Sequence, residues 1–210
     1  MIRTRWPSGA PPLVVILRGL RAEQAKAVGA CLFGAGLRCL EVPLNRPQAL
    51  ACIELLRRGA PADALVGGGT VLDVTEVDAV RDCGGQLIVA PNCDLAVIGR
   101  AVDMGLFCAP GVATPSEALQ ALRAGADALK LFPAEQIGPG GLRALRSVVP
   151  ATTRLWPVGG IDAEALRRWH EAGANGYGIG GALFTPNIDL AELARRARKL
   201  LDAWRALTGD

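Results

Sequence analysis

The chain has 210 residues, half of them hydrophobic and only 4% aromatic. That is ample material for a large core filled by Ala, Val, Leu and Ile, and it excludes a disordered chain. The net charge of +3 arises from twenty Arg, three Lys and twenty acidic residues with no dense basic block, which excludes a nucleic-acid footprint and favours a small anionic substrate.

Eight short apolar runs appear in chain order: LVVILRG (13–19), LRCLEVPL (37–44), ALVGGGT (64–70), QLIVAPN (86–92), LFCAPG (106–111), ALKLFP (128–133), RLWPVGGI (154–161) and YGIGGAL (177–183). None alternates, and each gives way to Gly, Pro, Asn or Thr. Such runs read as parallel strands buried on both faces. Between them lie Ala-, Leu- and Arg-rich helical patterns such as AEQAKAVGACLFGAG and SEALQALRAGA. Asp73, Asp94, Ser116 and Asp162 are N-cap types at helix starts. Gly36, Gly105, Gly125 and Gly173 suit left-handed C-caps. A last helix over Leu190–Leu207 puts Leu190, Leu193, Ala197, Leu200, Leu201, Trp204 and Leu207 on one face.

Eight strand–helix units of about 26 residues consume the whole chain, which implies an α/β fold and one (β/α)8 TIM-barrel domain over residues 1–210. The competing doubly wound open sheet would want a G-x-G-x-x-G turn after an early strand, and none follows the first run. The N-terminus lacks a signal-peptide apolar region, and no apolar stretch is long enough to span a bilayer, so a cytoplasmic protein with no membrane partner is expected. Six scattered Cys without a C-x-x-C pair read as buried, reduced thiols. The single His170, in a helical segment, reads as a surface residue, and no metal or other cofactor is expected.

Barrel enzymes carry their chemistry at the C-terminal ends of strands. Three ionisable residues fall there: Arg18 in ILRG, Glu41 in LRCLEVPL and Lys130 in ALKLFP. A buried ammonium is costly unless its pKa falls or it finds a partner, and the neutral amine is a nucleophile toward carbonyls. Lys130 is therefore either a Schiff-base nucleophile or half of a buried ion pair with Glu41. Glu41 is either a proton relay or that counter-ion. Arg18 could clamp a carboxylate bidentately or simply finish its strand. The glycines Gly159–Gly160 and Gly178–Gly180–Gly181 offer backbone N–H groups to a phosphate, although tight turns alone would also explain them. Gly67–Gly68–Gly69 with Thr70 could bring further donors to the mouth.

Taken in order, ILRG, LEVPLN, GGGTV, LIVAPN, ALKLFPAE, PVGGI and GIGGAL resemble the 2-keto-3-deoxy-6-phosphogluconate and 6-phosphogalactonate aldolases over essentially the full chain from Leu13 to the last helix. The wording ILRG and E-V-P-L-N-x-P is that of the galactonate branch. The resemblance implies a metal-free class I aldolase, generally a homotrimer, acting on a small phosphorylated keto acid. Carried over by position, Lys130 forms the imine and Glu41 is the general acid/base. Arg18, Thr70 and Pro91 line the pyruvate end, and Gly159, Gly160, Gly180 and Gly181 surround the phosphate. Val158 stands where gluconate-preferring relatives generally have Thr, and Gly181 stands where relatives commonly have Ser. Competing readings are the gluconate epimer as main substrate, a phosphosugar isomerase or epimerase on the same barrel, and a non-catalytic sugar-phosphate binder. The single His argues against the isomerase, and a binder gives no account of Lys and Glu in apolar strands.

Overall fold

Every apolar run becomes a strand, and the residues between them form helices. In the computed structural model, which describes residues 4–209, the order is β1 (Leu13–Ile16), α1 (Ala22–Ala35), β2 (Cys39–Pro43), α2 (Ala49–Arg58), β3 (Leu65–Gly69), α3 (Val74–Asp82), β4 (Leu87–Val89), α4 (Leu95–Asp103) and β5 (Phe107–Ala109). There follow β6 (Gly111–Val112), α5 (Pro115–Arg123), β7 (Leu129–Leu131), α6 (Ala134–Arg146), β8 (Leu155–Pro157), α7 (Leu166–Glu171), β9 (Tyr177–Ile179) and α8 (Leu190–Thr208). The outermost residues of the domain expected over 1–210 lie outside the described range.

The closed eight-stranded (β/α)8 barrel expected from the sequence is not what forms. Parallel ladders instead build a six-stranded half-barrel sheet in the order β5-β4-β3-β2-β1-β9 and a separate three-stranded sheet, β6-β7-β8. At one seam Pro110, which has no N–H for a ladder, divides the fifth apolar run into β5 and β6. At the other, an isolated bridge between Val158 and Gly178 and a bond from Asn175 N–H to Leu155 O join the two sheets.

Strand parity explains why the runs are apolar throughout. Leu13, Val15, Leu40, Val66, Ile88, Cys108, Leu129, Leu131 and Leu155 pack outward among the helices in the main core. Their neighbours Val14, Cys39, Leu65, Leu87, Val89, Phe107, Ala109, Ala128 and Trp156, drawn from both sheets, form a second cluster on the inner face. Successive strand side chains point to opposite faces. Glu41 and Lys130 therefore share the inner parity of Cys39 and Ala128. Trp6 packs on this inner cluster, with its ring edge-on to Phe107 and Trp156 at centroid distances of 5.7 and 5.1 Å.

The punctuation is mostly as read. Asp73 and Asp94 accept hydrogen bonds from the first N–H groups of α3 and α4. Gly36, Gly105, Gly125 and Gly173 all take positive φ just beyond a helix. Asp162 accepts from the N–H groups of Glu164 and Ala165, in the turn before α7. Ser116 is not the cap of α5. Thr114 is, two residues earlier, in a reciprocal capping box with Glu117 and with Pro115 opening the helix. Cys39, Cys52 and Cys108 are buried, while Cys31, Cys83 and Cys93 are only half-buried.

Candidate active site

Glu41 sits on β2 between Ile16 of β1 and Gly67 of β3, and it is 2% exposed. Burial pushes its carboxyl up to about 7, against smaller downward pulls from the charges of Lys130 and Arg18. Its Oε2 is buried without a hydrogen-bond partner among the described residues. The carboxylate lies directly over the Cα of Gly69, where any β-carbon would overlap it. Gly69 is thus required by close approach, and the sequence motif GGGT has a steric cause.

Lys130 sits on β7, paired with Gly111 of β6 and Trp156 of β8, and is 6% exposed. Its ammonium pKa is lowered chiefly by burial. Glu41 opposes that shift, and the charge of Arg18 adds to it. The Nζ lies 4.9 Å from the centroid of the Phe132 ring, a cation–π contact when the amine is charged. A carboxyl that titrates near neutrality beside an amine of lowered basicity can exchange protons with little driving-force penalty.

Arg18 follows β1 and is exposed. It acts electrostatically on both Glu41 and Lys130 and also borders a cleft of about 390 Å³. Val158, Gly159, Gly160, Gly178, Gly180 and Gly181 line that same cleft, so with Arg18 it gathers seven of the candidate site residues singled out in the sequence. Lys130, Glu41, Thr70 and Pro91 are not among its lining residues. Thr70 immediately follows Gly69 and holds φ at +55°, a left-handed backbone that is strained for a branched side chain. Pro91 places its carbonyl against Gly111, the strand partner of Lys130.

Sequence reasoning missed Ile16, Phe132, Ile161, Asp162 and Ala182, which also line the cleft. Phe132 lies near the end of the sixth apolar run and Asp162 directly follows the seventh, and proximity to those run ends was the only signal available for them. No three-residue His, Cys, Asp or Glu group suited to a metal ion occurs among the described residues.

The family model described as aldolase, KDPG and KHG aldolase, matches residues 9–195. The chain belongs to the KDPG and KHG aldolase family. This aldolase is therefore a lyase, and its curated relatives refine the likeness. It is 39% identical over 209 residues, covering 100% of this chain and 99% of the relative, to a probable 2-dehydro-3-deoxy-6-phosphogalactonate aldolase of Rhizobium meliloti (strain 1021). It is 40% identical over 194 residues to the 2-dehydro-3-deoxy-6-phosphogalactonate aldolase of Escherichia coli (strain K12), covering 92% of this chain and 95% of that one. A solved structure described as native KDPGal superposes on the aldolase with a TM-score of 0.94 at 38% identity, covering 99% and 100% of the two chains.

Proposed function

We propose that this protein is a class I, Schiff-base aldolase that cleaves 2-dehydro-3-deoxy-6-phosphogalactonate to pyruvate and D-glyceraldehyde 3-phosphate. The observation that carries the reading is the buried, electrostatically coupled Glu41–Lys130 pair on one inner face, with Arg18 linking it to the glycine-lined cleft. The galactonate relatives supply the substrate class.

In this reading the neutral amine of Lys130 attacks C2 of the keto acid to form a carbinolamine. Glu41, protonated near neutrality, donates a proton as water leaves, which gives the iminium. Its carboxylate then removes the C4 hydroxyl proton. The C3–C4 electron pair moves into the iminium to form an enamine, and the aldehyde departs. Protonation at C3 and hydrolysis release pyruvate and restore Lys130. Arg18, Thr70 and Pro91 hold the pyruvate end, and Gly159, Gly160, Gly180 and Gly181 hold the phosphate. No metal or organic cofactor takes part.

At Gly181 a β-carbon would meet nothing within 4 Å. The serine common among relatives would fit there, and in its absence phosphate binding rests on backbone N–H groups. The assembly we propose is a cytoplasmic homotrimer of single-domain chains, on the family resemblance. No described helix is long and apolar enough to cross a membrane.

The test is to supply both C4 epimers and measure released pyruvate, then to reduce the protein with borohydride in the presence of pyruvate. Release chiefly from the galactonate epimer, with one reduced pyruvyl adduct mapped to Lys130, is the expected result. An adduct on Lys26 or Lys199, or none, overturns the mechanism. A strong preference for the gluconate epimer overturns the substrate assignment.

A further inference from the structure

Glu135, in the first turn of α6, has no part in the mechanism above, yet it is built into the junction between two loops of the site. The Val158 N–H donates to Leu131 O at 3.0 Å, and the Ala134 N–H donates to Val158 O at 3.0 Å. These bonds tie the end of the Lys130 strand to the end of β8. One residue further along each loop, the Glu135 side chain lies on the Gly159–Gly160 turn. A β-carbon at Gly159 would overlap Glu135 Oε2. At Gly160 it would sit 3.0 Å from Oε1 and 3.2 Å from Cγ.

Both glycines also hold positive φ, +120° and +59°. The turn therefore takes a left-handed path with the Glu135 side chain resting in the space that L side chains would occupy. Beyond this first turn α6 is broken at Gly138, before Pro139, so Glu135 belongs to a short helical piece whose Ala134 and Ile137 pack on the main core.

We propose that Glu135 is a positioning residue that fixes the Gly159–Gly160 turn relative to the Lys130 strand and so sets where the substrate phosphate docks; this rests on the phosphate assignment above. It acts through shape. A negative charge beside a bound phosphate is unfavourable, so charge would weaken binding.

The experiment compares E135A and E135Q with wild type in two ways. The amide resonances of Gly159 and Gly160 in 15N-glycine-labelled protein report turn position without any turnover. They should move in E135A and stay close to wild type in E135Q. Steady-state kinetics on the 6-phosphorylated keto acid should show KM raised about tenfold in E135A with kcat within about threefold, since a displaced binding group costs affinity before it costs chemistry. The same keto acid without its phosphate should react equally with both proteins, and E135Q should keep or lower the wild-type KM. Unmoved glycine amides in E135A overturn the proposal. So does a KM loss shared by the unphosphorylated substrate, or a loss in E135Q equal to that in E135A. Should E135A fail to fold, E135D, one methylene too short to span both glycines, replaces it with the same expected results. If the assigned substrate is wrong, wild type releases no pyruvate from it, while the amide shifts still judge Glu135.

Discussion

At the scale of single residues, the site works because two charges are placed where water is scarce. Glu41 keeps its proton to about pH 7 when folded and releases it near 4.5 when unfolded. Between those values the folded state holds the Glu41 proton more tightly, so the contribution of Glu41 to stability falls as pH rises from about 4.5 to about 7 and levels off above. Glu41→Gln removes that slope. Relative to wild type, the variant should gain of the order of 3 kcal/mol between pH 4.5 and pH 8, read by urea melts at both. It should still lose about 10²–10⁴ in kcat, the range for a positioned acid/base; a folded variant within tenfold of wild type would reduce Glu41 to a counter-ion. Val158, 7% exposed and lining the cleft, is the residue we propose to decide between epimers. A Thr hydroxyl there can bond one configuration of the C4 hydroxyl, and a methyl cannot. Val158→Thr should shift the ratio of kcat/KM values toward the gluconate epimer by about 1–3 kcal/mol, and an unchanged ratio removes Val158 from substrate selection. Glu41 and Lys130 were legible because charge inside an apolar strand is anomalous in any sequence. Phe132, Asp162 and Glu135 were not, because an aromatic in an apolar run or an acidic residue at a helix start is ordinary until its neighbours are known.

At the scale of elements, sequence signals worked where the cause was local. Asp73 and Asp94 cap their helices through their own carboxylates, a contact fixed within three residues. At α5 the more informative signal was Pro115, since proline favours the first helical position and so points to the residue before it. Thr114 accepts from Glu117 N–H at 3.3 Å, while Glu117 Oε2 accepts from the N–H groups of Ala113 and Thr114, each at 2.9 Å. Thr114→Ala should therefore cost about 1 kcal/mol of stability, and Ser116→Ala should cost almost nothing. Chemical denaturation of the two variants checks this, and equal losses would return the cap to Ser116. The splitting of the fifth run was illegible for the opposite reason. A proline at the end of an apolar run reads as a stop, and only the ladder reveals Gly111 and Val112 pairing beyond it with Lys130 and Leu131.

At the scale of the whole molecule, the two sheets share the site between them. The half-barrel sheet carries Glu41 and leads into Arg18, Gly180 and Gly181. The three-stranded sheet carries Lys130 and leads into Val158, Gly159 and Gly160. The alternation of strands and helices was readable from the sequence, but the ninth strand and the closure were not, because Pro110 splits one run into two strands and closure depends on which edges find partners. One such edge matters for how the molecule is made. β1 pairs with β9, Leu13 against Tyr177 and Val15 against Ile179. Residues at the start of α1 reach the segment before α8, with Arg21 and Gln24 donating to Asn187 and to Pro186 O. β1 leaves the ribosome well before β9 and waits for it, with an apolar edge unpaired in the meantime. Such long-range pairing slows folding and leaves nascent chains open to association. A chain ended after Asn175 keeps Lys130 and Glu41 but should collect in the insoluble fraction. If it stays soluble and monomeric, the first strand has no need of its distant partner.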